Sequence, residues 1–212
     1  MCGFAGFVGE VENREQVLEN MIDTIIHRGP DSSGKFVDED AALGFRRLSI
    51  IDLSESGDQP LYNEDRSKVL VFNGEIYNYQ ELREELIQAG HTFVSNTDSE
   101  TLIHGYEQWG EELVYRLRGM YAFAIWDQKA KRLFSARDIF GIKPLYYAQM
   151  NGTLMFGSEI KSFLEHPKFD KVFNEDALGN YLSFQFVPTN ETFFKACSVY
   201  SRAIISFMRT GK

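Results

Sequence analysis

An α+β fold is expected from three features of the chain. Runs with strand period and with helix period both occur along its whole length, short aromatic and branched runs joined by turn signals dominate its third quarter, and helical patterns flank the strands instead of alternating strictly with them. No Pro- or Ser-rich linker interrupts the chain before its last twenty residues, so one compact domain is the simplest organisation.

Taken in order, residues 3–8 read as a strand, after which Val17, Leu18, Met21, Ile22, Ile25 and Ile26 recur with the spacing of an amphipathic helix. His27-Arg28-Gly29-Pro30-Asp31 ends that helix, because Pro cannot continue it and pushes the preceding residue out of the α region. Strands are expected over 41–48 and 69–72, and helices over 80–89 and 98–109, the second with Leu102, Ile103, Tyr106 and Trp109 on one face. Strands follow over 121–126, 132–136, 145–148 and 154–156, with Asn151-Gly152 as a type I′ hairpin signal between the last two. Helical patterns return over 158–165 and 175–182. No internal repeat or low-complexity segment is visible.

The 212 residues carry a formal charge of −9 and are 43% hydrophobic. A globular chain of that size buries a substantial core, and the acidic balance speaks against a nucleic-acid or anionic-membrane surface, leaving a small molecule as the expected partner. Cys2 and Cys197 are the two cysteines, and neither a secretory leader nor an apolar run of membrane-spanning length is present. A reduced, cytoplasmic location is therefore expected.

Met1-Cys2-Gly3 is the most informative segment. Removal of Met1 would place a thiol and a free α-amine on one residue, and an α-amine of pKa about 7.7–8.0 can take the proton of a thiol of pKa about 8.5. Taken alone, Cys2 also reads as a small buried hydrophobe. Attack on an amide carbonyl creates an oxyanion, and Asn73-Gly74, delivered by the run Val69-Leu70-Val71-Phe72, offers a side-chain amide and a backbone N–H as donors. The same dipeptide is a common hairpin turn. A substrate with an amino-acid backbone could be clamped by Arg47 at its carboxylate and Asp98 at its ammonium. Thr97-Asp98-Ser99-Glu100 also reads as a capping box, which would leave Asp98 in the first helical turn, still able to face a pocket.

The N-terminal Met-Cys-Gly, with HRGPD, RRLSIID, QPLYN, FNGEIYNYQELR, TDSE, RDIFGIKPLYY and FGSEIKSFL, resembles the glutaminase domain of glutamine-hydrolysing asparagine synthetases, a group of class II glutamine amidotransferases. The match runs in order from Cys2 to about Lys195. It implies an N-terminal-nucleophile hydrolase fold, a four-layer αββα sandwich of antiparallel sheets. It implies Cys2 as nucleophile with its own α-amine as base, and Asn73 and Gly74 as the oxyanion hole. Glutamine would be held by Arg47, by the backbone of Leu48, Ser49, Ile50 and Ile51, by Gly74 and Glu75, and by Asp98. No metal or cofactor is implied for this step. ATP and Mg²⁺ are expected only in a synthetase domain that follows in the family and is missing from residues 1–212, with a homodimer as one assembly open to the full-length enzyme. An amidotransferase serving another acceptor, or an inactive glutamine-binding fragment, are the alternatives.

The four histidines, His27, His91, His104 and His166, are dispersed and read as helix-end or surface residues without a ligand set. Gly141-Ile142-Lys143-Pro144 lacks the spaced glycines of a phosphate loop and reads as a turn. The resemblance stops at Ala196. Codons permitted for residues 196–212, read two bases further on, can encode a Pro-Gly-His-Tyr continuation like the family's, which suggests a frameshift near Ala196. Residues after Lys195 should then pack poorly, with Cys197 an incidental thiol.

Overall fold

The computed structural model describes residues 1–48 and 58–200, together with the backbone of 206–209. Two antiparallel sheets form its centre. The first has six strands: β1 (Gly3–Val8), β2 (Ser32–Val37), β3 (Ala41–Arg47), β8 (Tyr146–Met150), β9 (Thr153–Gly157) and β10 (Cys197–Val199), in the order β10-β8-β9-β1-β3-β2. The second has five: β4 (Leu61–Tyr62), β5 (Lys68–Ile76), β6 (Gly119–Asp127), β7 (Arg132–Arg137) and β11 (Ser206–Arg209), in the order β11-β7-β6-β5-β4.

Strand alternation explains why the sheets stack. In β1, Phe4 and Val8 point into the layer between the sheets, where they meet Leu43, Phe45, Val69, Val71, Trp126 and Phe156. Ala5 and Phe7 point the other way, against Val17, Leu18, Met21 and Ile22 of α1 (Arg14–Asp23). The second sheet repeats this arrangement: Leu70, Phe72 and Ile76 face outward, against Leu82 of α2 (Tyr79–Gln88) and Leu102, Ile103 and Tyr106 of α3 (Asp98–Trp109). A sheet covered on both faces must be apolar on both, which is why β1 reads as a continuous buried run. The result is the four-layer αββα sandwich. A short α4 (Leu113–Arg116) and α5 (Glu175–Phe184) complete the helices among the described residues, and none is long and apolar enough to cross a membrane.

Several elements differ from the expected ones for identifiable reasons. α1 stops at Asp23 and the chain tightens into a 3₁₀ turn over Ile26–Arg28, because Gly29 lies so close to β3 that a Cβ there would sit 2.4 Å from the Arg46 carbonyl. Asn73-Gly74 is not a turn, since β5 continues through both to Ile76 and pairs them with Ala122 and Tyr121 of β6. The capping box does not form. Thr97 is the N-cap, but its hydroxyl bonds the Ser95 and Ser99 hydroxyls instead of capping a helix N–H, and Glu100 reaches past it to accept from the N–H groups of Val94 (2.6 Å) and Ser95 (2.7 Å). The pattern over 158–165 becomes a 3₁₀ segment, Ile160–Glu165, because Ser158 is engaged by β1: its N–H donates to the Phe4 carbonyl and its Oγ accepts from the Phe4 N–H.

Other expectations hold. Asn151 and Gly152 have φ of 48° and 72°, as a type I′ hairpin requires. Residues 139–143 form a turn, organised by Asp138, whose carboxylate accepts from the N–H groups of Ile142 and Lys143.

The expectation of poor packing after Lys195 is corrected at residues 197–200. β10 pairs with β8, Cys197 is buried, and the Tyr200 ring is buried between the sheets with its hydroxyl 3.0 Å from Ser135 Oγ. Tyr147 against the Tyr200 ring, Ser135 at its hydroxyl, and Arg137 and Leu145 at its backbone hold this short segment in place. Two histidines are corrected as well: His104 and His166 are buried, not surface residues.

Candidate active site

The nucleophile candidate sits at the edge of the inter-sheet cluster. Cys2 lies two residues before Phe4 and packs against the same inter-sheet cluster. Its thiol contacts Leu48, accepting from the Leu48 N–H at 3.4 Å and facing the Leu48 carbonyl at 3.6 Å. The Cys2 carbonyl accepts from Arg28 Nε at 3.0 Å, and Arg28 is in turn held by Glu159 at 3.0 Å. This pair fixes the backbone beside the thiol. Gly3 permits the approach, because a Cβ there would meet Arg28 Cδ at 2.7 Å. Met1 is exposed, touching Lys143 Nζ through its sulfur at 3.3 Å.

Arg47 ends β3 with the same parity as Ala41, Leu43 and Phe45, which face the inter-sheet layer. It is buried, and its Nη1 donates to Asp58 Oδ1 at 2.8 Å. Arg46, of opposite parity, turns away to the carbonyl of Ile22 and to Asp23.

On the second sheet Asn73 shares the parity of Val69 and Val71 and so also faces the inter-sheet layer. It is buried, and among the described residues its Nδ2 has no hydrogen-bond acceptor. A buried amide nitrogen left unpartnered costs about 1–3 kcal/mol. Such a donor is suited to an acceptor that arrives only with the substrate. Gly74 beside it cannot be replaced, since a Cβ would lie 2.3 Å from the Met120 carbonyl of β6. Glu75 is exposed at the end of the strand.

Asp98, in the first turn of α3, is drawn to the same strand end, where its Oδ2 accepts from the Ile76 N–H at 2.9 Å. Burial raises its carboxyl above the usual range, and the nearby Glu75 charge adds to the shift. A cationic group arriving there would favour the charged form.

Two adjacent residues connect the halves of the site. Asp58 holds Arg47 on the first sheet, while Gln59 Oε1 accepts from the Phe72 N–H on the second at 2.6 Å. The structure therefore places Cys2, Arg47 and Leu48 together at one sheet end, and Asn73, Gly74, Glu75 and Asp98 together at the other, with 58–59 spanning them. Ser49, Ile50 and Ile51 lie outside the described residues. Arg28, Asp58, Gln59 and Glu159 are supporting residues that sequence reasoning did not single out, although each lies in or beside a motif that was quoted: HRGPD, QPLYN and FGSEIKSFL.

Two face-to-face antiparallel sheets enclosed by helices, with Cys2 just before the central strand β1, have the architecture of the N-terminal-nucleophile hydrolase fold. Solved structures agree on the fold. Glutamine phosphoribosylpyrophosphate amidotransferase from B. subtilis superposes with a TM-score of 0.65 at 22% identity, covering 76% of this chain and 43% of that one. An allosteric regulatory enzyme of purine biosynthesis gives a TM-score of 0.68 at 22% identity, covering 77% and 43%.

A family model for the glutamine amidotransferase domain matches residues 1–211, and the chain belongs to that family. Among its relatives, asparagine synthetase (glutamine-hydrolyzing) 1 of Bacillus subtilis is 48% identical over 91% of this chain and 31% of its own length. The asparagine synthetase (glutamine-hydrolyzing) of Zea mays is 44% identical over 76% of this chain and 28% of its own. The chain thus spans about a third of the curated relatives it matches, at their glutamine amidotransferase part.

Proposed function

We propose that this chain hydrolyses glutamine to glutamate and ammonia as the glutaminase part of an asparagine synthetase. The observation that carries the reading is the buried Asn73 amide nitrogen, which has no acceptor among the described residues and faces the inter-sheet layer onto which Cys2 packs. With Met1 removed, the Cys2 α-amine takes the thiol proton and Sγ attacks the side-chain carbonyl carbon of glutamine. The carbonyl π-bond opens onto oxygen, and Asn73 Nδ2 and the Gly74 N–H donate to that oxyanion. Its collapse breaks the C–N bond, ammonia leaves with the proton held by the α-amine, and water then hydrolyses the thioester to glutamate. Arg47 holds the substrate α-carboxylate and Asp98 its α-ammonium. The exposure of Met1 supports its removal by an aminopeptidase.

Amidation of aspartate with ATP and Mg²⁺ belongs, in this reading, to the synthetase part of the relatives, outside residues 1–212. Leu178, Tyr181, Leu182, Phe184 and Phe186, on and just after α5, are exposed and would supply an apolar face for further protein to cover. A cytoplasmic setting fits two free cysteines. The shifted frame near Ala196 belongs to the same reading, and a nucleotide sequence unable to encode Pro-Gly-His-Tyr there overturns that part.

Intact mass and glutamate release, measured together on the wild type and on Cys2→Ala, test the central claim. The active wild type should begin at Cys2, and Cys2→Ala should bind glutamine without turning it over. Full-rate hydrolysis by a chain that retains Met1, or by Cys2→Ala, overturns it.

A further inference from the structure

Four side chains from three parts of the chain converge on the helical layer outside the second sheet. Glu64 comes from the connection between β4 and β5, His91 from the segment after α2, and His104 and Glu107 from one face of α3. His104 Nδ1 lies 3.2 Å from Glu107 Oε2 and 3.7 Å from Glu64 Oε1, and His91 Nδ1 lies 3.9 Å from the same Glu107 oxygen. One ligating atom from each of the four falls within 4.8 Å of the other three. In a tetrahedral shell with bonds of about 2.0–2.2 Å, ligand atoms stand about 3.4 Å apart, so small side-chain adjustments close this set around an ion.

The surroundings orient the ligands. His91 Nε2 is 3.1 Å from Gln108 Oε1, an acceptor that keeps the proton on Nε2 and turns the Nδ1 lone pair inward. His104 Nε2 faces Glu100 Oε1 at 3.6 Å, so its Nδ1 is likewise the inward atom. Glu107 Oε1 accepts from Asn63 Nδ2 at 2.7 Å, leaving Oε2 for the centre. A carboxylate or amide oxygen behind each histidine is the outer support that metal-binding imidazoles require. Lys68 Nζ, 3.7 Å from Glu107 Oε1, lies on the outer oxygen of that carboxylate. Glu64 is half-exposed and gives access from solvent.

We propose that Glu64, His91, His104 and Glu107 form a binding site for a first-row divalent cation, Zn²⁺ foremost. Two neutral imidazoles and two carboxylates neutralise a dication and match its preferred donors. A bound ion would tie α3 to the segments that carry Glu64 and His91.

The test uses the full chain carrying Cys2→Ala, which removes the thiol–amine chelate at the N-terminus. Titration with Co²⁺ should give the intense visible absorption of a tetrahedral ion, saturating at one equivalent and displaced by Zn²⁺, and Zn²⁺ should raise the melting temperature. Adding His91→Gln or the half-exposed Glu64→Gln should each weaken binding by about tenfold or more. No tetrahedral absorption at excess Co²⁺ overturns the proposal, and so does parental affinity in either folded variant.

Discussion

Asn73→Ala offers the sharpest separation of chemistry from binding and folding. The Asn73 amide nitrogen is buried and lacks an acceptor among the described residues, so the donor is in place before any substrate arrives and needs no rearrangement as negative charge develops. Deleting one such donor costs about 2.7–4 kcal/mol of transition-state stabilisation, a fall in kcat of about 100- to 1000-fold. The folded state loses no hydrogen bond from that nitrogen and sheds an unsatisfied group, which offsets the lost packing. Unfolding free energy should therefore move by no more than about 1 kcal/mol. Glutamate release at saturating glutamine gives kcat, urea unfolding gives stability, and glutamine binding is read in the Cys2→Ala background. A kcat within tenfold of wild type, or a loss expressed as weaker binding, refutes the assignment of Asn73 to the oxyanion.

Further outcomes follow from the two thiols and from two titrating groups. Burial pushes the Cys197 thiol up to about 12, opposed by its bond to Thr192, so iodoacetamide should label Cys2 in the native protein and both thiols only after denaturation; native labelling of Cys197 contradicts this. Because burial and then Glu75 raise the Asp98 carboxyl, ionised Asp98 becomes costly as pH rises through its folded pKa until a substrate ammonium pairs with it. The acid limb of kcat/KM should thus lie above the ordinary aspartate range near about 3.9 and move down in Glu75→Gln; an unmoved limb removes Asp98 from substrate binding. Burial, followed by Lys168 and Arg14, lowers the His166 imidazole from 6.5 to about 4, so its contribution is intact above 6.5 and is lost as pH falls toward 4. At about 1.4 kcal/mol per pKa unit the loss amounts to about 3 kcal/mol, and His166→Phe should flatten stability between those limits; an unchanged acid slope refutes it.

The fold was legible where residues carry their burial in local order. β1, β3 and β6 are buried on both faces and read as strands from composition alone, and α3 carries its apolar residues at helical spacing from Asp98 to Trp109. β2 was missed because an edge strand needs only one apolar face, and Ser32, Ser33 and Lys35 disguise it. The far end of β5 was obscured by Asn73-Gly74, whose local preference for a turn yields to the β6 ladder. Among candidate site residues, the motifs pointed to Cys2, Arg47, Asn73 and Asp98, which carry polar groups where apolar ones would otherwise pack. Arg28 and Glu159 are 131 positions apart, and only the pairing of β1 with β9 makes them neighbours. His91 and His104 meet because α2 packs against α3, which no spacing along the chain reveals.

Asp58 and Gln59 each grip a different sheet, one through a guanidinium and the other through a main-chain N–H. Sulfur on one layer and amide on the other can meet a reacting carbonyl only while the layers keep a fixed shear. In the proposed reaction, turnover is a vernier for sliding between layers: a slip too small to melt the protein would silence it first, and a change as remote as one at Trp126 should register in rate before it registers in a melting curve.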